Sequence, residues 1–207
     1  MNNRVYPYIK RLLDIFISLL ALLFFSPVFL VVWLRYTFGS DRGPMIYKQL
    51  RVGKDNKLFY IYKFRSMIVN ADEELRNNKE LYAKYVANNY KLLPEEDPRI
   101  TKFGIWLRKT SIDEIPQFIN ILKGDMSIVG PRPVVKEELS EYGNHVDELL
   151  SIRPGAMGLW QACGRSNIGY PKRAEIELFY VKHYSLILDI KIIVKNIINI
   201  FKGIGAY

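Results

Sequence analysis

The chain has 207 residues, 49% of them hydrophobic, and carries 30 Lys and Arg against 21 Asp and Glu, a formal net charge of +9. Its one cysteine, Cys163, excludes an internal disulfide and a cysteine-rich zinc site, and its two histidines, His145 and His183, lack metal-ligand spacing and are read as structural or surface residues. A basic balance suits nucleic acid, an anionic membrane surface or a phosphorylated substrate.

Residues 12–34 form a nearly unbroken apolar run, long enough to cross a bilayer, with Lys10 and Arg11 before it and Arg35 after it. The Ser26-Pro27 step stands in its middle. Proline removes a backbone donor and clashes with the preceding turn, so a helix here bends or breaks. Both flanks are basic, so the positive-inside rule assigns no polarity. A straight span with a kink and a re-entrant hairpin both fit. The run exceeds a secretory h-region and no small-x-small cleavage site follows, which predicts a retained anchor. Asp14, near the basic end, is expected to reach water. With an anchor present, the membrane surface and its phosphates are the expected partners, each basic group gaining about 1 kcal/mol beside anionic lipid. Residues 1–35 are read as the membrane segment and 36–207 as one catalytic domain of ordinary size.

After the anchor, residues 45–49 and 58–64 read as short strands around a Gly-Lys-Asp-Asn turn. Residues 71–92 read as a helix, broken by the segment from Pro94 to Pro98. Residues 101–109 read as a basic amphipathic helix. Ile115, Phe118, Ile119 and Leu122 recur at helical spacing, Gly124 closes that helix, and Pro116 suits its first turn. Asp113 is then placed at or near the N-cap, with Glu114 beside it. Residues 126–134 read as a strand ending in a rigid turn, and 137–152 as a helix. Residues 153–166 read as loop and extended chain, and 170–184 as a helix. The final apolar stretch, 186–202, carries Lys191, Lys195 and Lys202 as one polar stripe, which suits either a membrane interface or core packing.

Few of these elements carry chemistry. A carboxylate at a helix start meets free N–H groups and a partial positive charge, which favour its ionised form and attract phosphate. Asp113 is therefore a candidate nucleophile toward phosphorus, although Ser111 with Glu114 also fits a plain capping box. In Gly130-Pro131-Arg132-Pro133 two prolines hold one guanidinium, whose fork matches phosphate geometry, or simply form a rigid turn. Lys63 and Arg65 alternate along a strand and are expected to share one face. Arg153-Pro154-Gly155 and Gly164-Arg165 add cation–glycine sites suited to phosphate. No Walker A or Gly-x-Gly-x-x-Gly fingerprint is present.

Taken together, several segments resemble the bacterial sugar transferases, the small monotopic phosphoglycosyl transferases. They are Lys10-Arg11-x-x-Asp14, Ser26-Pro27, the Lys63 to Met67 and Asp97 to Gly104 segments, and the Leu107 to Gln117 segment containing Asp113-Glu114. The Leu122 to Pro133 segment, Arg153-Pro-Gly155 and the Gly158 to Arg165 segment complete the set. The resemblance covers nearly the whole chain. It implies a predominantly helical α+β fold, with a re-entrant membrane helix, small strand elements and amphipathic interfacial helices around a cytosolic active site. It implies transfer of a sugar 1-phosphate from a UDP-sugar to undecaprenyl phosphate, with release of UMP, at the cytoplasmic face of the bacterial inner membrane. Asp113 would be the nucleophile, forming an aspartyl phosphosugar with Mg²⁺ bridging it to the diphosphate, and Glu114 would assist. Lys63, Arg65, Arg99, Arg108, Arg132, Arg153 and Arg165 would face phosphate. The Gly158-Leu-Trp-Gln161 segment resembles members using galactose or glucose. Many such proteins carry a further N-terminal membrane region, so this chain is expected to be either the minimal catalytic form or a truncated part of a longer protein, with a homo-oligomer among the expected partners. The competing expectations are a non-catalytic binder of nucleotide sugars or anionic lipid, and a nucleotide-diphosphate hydrolase. Nucleic-acid binding is not expected, because the charge is spread out and no reading module appears.

Overall fold

The computed structural model describes residues 5–87, 92, 96–164 and 167–202. Helix α1 (Tyr6–Phe24) and helix α2 (Ser26–Phe38) each start with a proline in the first turn, where its missing N–H costs nothing. They meet at Phe25 with their axes bent by 54°. The Leu23 carbonyl, which Pro27 cannot bond from four residues on, accepts the Ser26 hydroxyl at 2.8 Å. Among the described residues no single helix is long and apolar enough to cross a membrane, whereas this bent pair passes that test together.

Strands β1 (Ile46–Val52) and β2 (Leu58–Phe64) form the expected antiparallel hairpin, Ile46 opposite Phe64 and Val52 opposite Leu58. The single helix expected over 71–92 is two, α3 (Ala71–Asn77) and α4 (Lys79–Ala87). Asn78 divides them, its side-chain oxygen accepting the Leu81 N–H and so favouring a fresh start over continuation. The expected break at Pro94 lies outside the described residues.

Helix α5 (Lys102–Lys109) is capped by Thr101, which accepts from Gly104 N at 2.9 Å. Helix α6 (Gln117–Lys123) ends at Gly124 with φ 89°, a conformation that suits glycine. Strands β3 (Ser127–Val129) and β4 (Gly155–Met157) pair in parallel. The helix expected over 137–152 is a 3₁₀ segment, Lys136–His145, interrupted at Gly143, followed by the short α7 (Val146–Leu149). Gly143, at φ 50° and ψ −127°, adopts a backbone that no helix contains. The 153–166 region also holds a helix the sequence reading lacked, α8 (Leu159–Cys163); five residues between glycines are too few to show a period. Helices α9 (Lys172–His183) and α10 (Leu186–Phe201) complete the chain as expected.

Two apolar clusters position the site. Phe59 and Ile61 of β2 pack with Ile121, Met126, Ile128, Tyr180 and Ile192. Val32 and Tyr36 of α2 pack with Phe64, Leu107 and Ile115, so immediate chain neighbours of Lys63, Arg108 and Glu114 share one core.

The two most apolar elements turn polar groups inward. Helix α1 buries Tyr6, Asp14 and Ser18 and exposes Leu12, Phe16, Leu19 and Leu23. Asp14 does not reach water as expected. It is 4% exposed and accepts from Ile128 N at 2.9 Å and Ser127 Oγ at 3.1 Å. Arg11 donates to the Ile121 and Leu122 carbonyls at the end of α6, at 2.6 and 2.9 Å. Lys10 and Tyr6 both bond Asp189 of α10. Helix α10 buries Asp189, Ile192, Asn196 and Asn199 and leaves Ile190, Val194, Ile197 and Phe201 outside with its lysines. The core-packing reading holds for one face, where Ile192 joins the core with Leu188 and Ile193 against it, while the outward apolar face stays uncovered.

Candidate active site

Asp113 and Glu114 lie in a 3₁₀ turn, Ile112–Glu114, between α5 and α6. Ser111 enters it in the left-handed region, φ 55°, reversing the chain at a cost of roughly 1–2 kcal/mol. One expectation changes and another narrows. The Ser111 side chain makes no capping bond, its backbone carbonyl accepting the Glu114 N–H instead, and Asp113 lies near the N-cap of α6 rather than at it, that place being taken by Pro116. The turn closes on itself instead, Ile115 N donating to Ile112 O at 3.1 Å. Side-chain cations, rather than the start of α6, thus neutralise the carboxylates.

Three of the expected cations converge there. Lys63 Nζ, from β2, is 2.8 Å from Glu114 Oε1 and 3.9 Å from Asp113 Oδ2. Arg132 Nη1 is 3.7 Å from Glu114 Oε1. Arg108 donates to Ser66 Oγ at 2.9 Å and its charge acts on Asp113. Gly104 sets that approach: a Cβ there would meet Ser66 O at 1.8 Å. Burial pushes the Asp113 carboxyl up to about 6, Lys63 opposing this, Glu114 adding to it, and Arg108 and Arg132 opposing it. At neutral pH Asp113 is mainly an ionised carboxylate held in a poorly solvated place.

The other expected cations sit elsewhere. Arg65 lies one residue past the end of β2, where strand alternation no longer fixes its direction. It stacks on Tyr36 at 4.6 Å and donates to Asp41 O rather than sharing a face with Lys63. Arg99 makes a buried bidentate pair with Asp97, both bonds 2.8 Å. Arg153 donates to Gly124 O at 2.8 Å, ending α6. Arg165 lies outside the described residues. Ser26 and Pro27 stand at the break between α1 and α2. His145 and His183 are exposed.

The two proline–glycine motifs are strand partners. Gly130 N donates to Met157 O at 3.0 Å and Gly155 N to Pro131 O at 2.8 Å. Behind Arg132 stands a buried polar cluster that the sequence reading lacked. Glu177 Oε1 accepts the Arg132 backbone N–H at 3.2 Å, and Tyr142 donates its hydroxyl to Oε2. Arg173 reaches Glu138 at 3.1 Å and Glu177 at 3.5 Å and stacks on Trp160 at 4.6 Å. Arg51 donates to Pro133 O at 3.1 Å; burial, then the charge of Arg132, pushes it down to about 10. Arg173 and Glu177, four apart on α9, read in sequence like a surface ion pair, so no pattern pointed inward.

Among the described residues no group of three or more His, Cys, Asp or Glu side chains could cage a metal. Two adjacent carboxylates, Asp113 and Glu114, do fit Mg²⁺, which takes one or two carboxylates and completes its shell with substrate phosphates and water.

The family model described as "Bacterial sugar transferase" matches residues 5–203. The undecaprenyl-phosphate galactose phosphotransferase of Salmonella typhimurium is 43% identical over all of this chain and 43% of its own length. An uncharacterized sugar transferase of Haemophilus influenzae is 45% identical, over all of this chain and 45% of its own. The exopolysaccharide production protein ExoY of Sinorhizobium fredii is 41% identical over 96% of this chain and 88% of its own. The chain thus spans less than half the length of the first two.

Proposed function

We propose, from the premise that this chain belongs to the bacterial sugar transferase family, that it is a phosphoglycosyl transferase. It moves a hexose 1-phosphate from a UDP-sugar to undecaprenyl phosphate. The observation that carries this reading is the buried Asp113 and the half-buried Glu114 beside it, facing Lys63, Arg108 and Arg132. A site built only to bind anions gains nothing from two carboxylates at its centre.

The reaction runs in two halves. An Asp113 carboxylate oxygen attacks the phosphorus that bears the sugar, the bond from that phosphorus to the bridging oxygen breaks, and UMP leaves with that oxygen. An oxygen of undecaprenyl phosphate then attacks the acyl phosphate, giving the lipid diphosphosugar and restoring the carboxylate. An acyl phosphate splits one difficult transfer into two easier ones. Lys63 holds Glu114 beside the nucleophile, and Arg132 and Arg108 receive charge that develops on the phosphoryl oxygens. Mg²⁺ held by Asp113 and Glu114 would supply charge neutralisation between carboxylate and diphosphate.

The outward apolar faces of α1, α2 and α10, with polar groups turned inward, support a bilayer as the surrounding solvent. The bend at Phe25 supports a hairpin that enters and leaves on the cytoplasmic side, where soluble UDP-sugar and lipid phosphate meet. With Cys163 replaced by Ser, single cysteines at Val5 and Ser40 should both resist an impermeant thiol reagent in intact spheroplasts and both label after lysis. Labelling of one from outside would establish a straight span instead.

The reaction is tested by intact mass after incubation with Mg²⁺ and, in turn, UDP-galactose, UDP-glucose and their N-acetylated counterparts. One sugar, galactose or glucose, is expected to add a hexose phosphate that undecaprenyl phosphate then discharges. UMP release that instead needs no lipid and leaves no adduct would identify a hydrolase, and binding without any UMP would identify a carrier protein.

A further inference from the structure

We propose that Glu177 is a positioning residue for Arg132, fixing through that arginine's backbone where its guanidinium stands against the reacting phosphate. The inference rests on the transfer reaction proposed above. Glu177 is 1% exposed, lies on α9 outside the carboxylate site, and has no part in the two half-reactions. Its two oxygens face different tasks. Oε1 accepts the Arg132 N–H at 3.2 Å, and Oε2 accepts the Tyr142 hydroxyl. Burial raises its carboxyl, Arg173 opposing, so the group is held by partners rather than by solvent.

Arg132 is therefore fixed at three points. Its backbone is tied to Glu177, its guanidinium lies 5.9 Å from the Trp160 ring centre, and Nη1 reaches toward Glu114 at 3.7 Å. Trp160 is itself held, its indole N–H donating to Ile168 O at 2.8 Å and Arg173 stacking on its ring. Arg173 touches both Glu177 and Trp160, so the carboxylate and the ring that locate Arg132 are locked to each other. A guanidinium displaced by about 1 Å from its productive place can cost on the order of 100-fold in rate. Loss of a partner behind a working group typically costs about 10–100-fold.

The test is a double-mutant cycle on single-turnover UMP release. Glu177→Gln keeps the shape but offers one accepting oxygen where the Arg132 N–H and the Tyr142 hydroxyl each use one, and it leaves Arg173 paired with Glu138. It should lower the rate about tenfold or more with an unchanged melting temperature, and Glu177→Asp, one methylene short, should lower it similarly. Tyr142→Phe, which releases the other oxygen, should give a smaller loss. In an Arg132→Ala background all three should have little further effect, since groups acting as a unit are not additive. Losses that multiply undiminished in that background, or that track melting temperature, would overturn the proposal and leave Glu177 a structural residue. Absence of UMP from the unmodified protein would instead overturn the assigned reaction.

Discussion

Asp113→Asn is expected to abolish UMP release, by about 10⁴-fold or more, while leaving the fold intact. Loss of a nucleophile commonly has that scale, because the residual rate comes only from binding and electrostatics. Asn matches the carboxylate in size and can still lie between Lys63 and Arg108, so the turn at Ile112–Glu114 has no reason to rearrange. The variant should also be more resistant to heat above pH 6. Burial holds the folded carboxyl at about 6, above its ordinary 3.8. A group raised on folding contributes stability that is fully present below the ordinary value and is lost as pH rises through the folded one. Ionised Asp113 therefore works against the fold at neutral pH. The adduct-forming rate should accordingly fall on acidification through about pH 6. Melting curves across pH 4–8 should show a downward step in the unmodified protein that the variant lacks. Substantial UMP release by the variant would remove Asp113 from the nucleophile's place.

Gly155→Ala is expected to be among the most destabilising single methyl additions in the molecule. Its Cβ would meet Gly130 N at 2.0 Å and the Val129 carbonyl carbon at 2.6 Å. Both are backbone atoms of the strand it pairs with, so no rotamer change relieves the overlap. The paired bonds from Gly130 N to Met157 O and from Gly155 N to Pro131 O must stretch or break. Overpacking usually costs about 1–3 kcal/mol, and an immovable backbone clash belongs at or beyond that limit. A fall in melting temperature of about 10 °C or more follows for a domain of this size. Arg132 sits two residues from Gly130, so the surviving folded fraction should also transfer poorly. Gly169→Ala, where a Cβ meets nothing within 4 Å, is the control and should change little. Equal melting temperatures for the two variants would contradict the close approach.

Much of this arrangement was legible because local rules sufficed. Ser26-Pro27 located the bend, the Gly-Lys-Asp-Asn turn located the β1–β2 hairpin, and Gly124 ended α6 where its φ requires. The motif residues Asp113, Glu114, Lys63 and Arg132 do meet, although they come from three separate stretches. What escaped the sequence depended on which partner each side chain turns to, near in the chain or far, which no spacing rule specifies. Arg99 looks like a free cation until Asp97 closes on it, and Arg153 until Gly124 does. Arg153-Pro154-Gly155 reads as a phosphate site, yet its glycine serves strand pairing with Gly130. Glu177 and Arg173 carry no unusual spacing at all; only the packing of α9 behind the Gly130 turn gives them their place.

The inward polar stripe of α1 bears on how such a molecule can be assembled and rearranged. Lys10 ends on α10, Arg11 on α6 and Asp14 on β3, so three parts of the globular body are tied to one helix. A generic hydrophobic leader grafted in its place would take the Lys10 and Tyr6 donors from Asp189, leaving it Tyr180, and the Arg11 guanidinium from the last carbonyls of α6. Helix α1 is thus a keystone of the body. Acquisition of activity during biosynthesis should be a late event, waiting until the far C-terminal helix has emerged from the ribosome to receive Lys10.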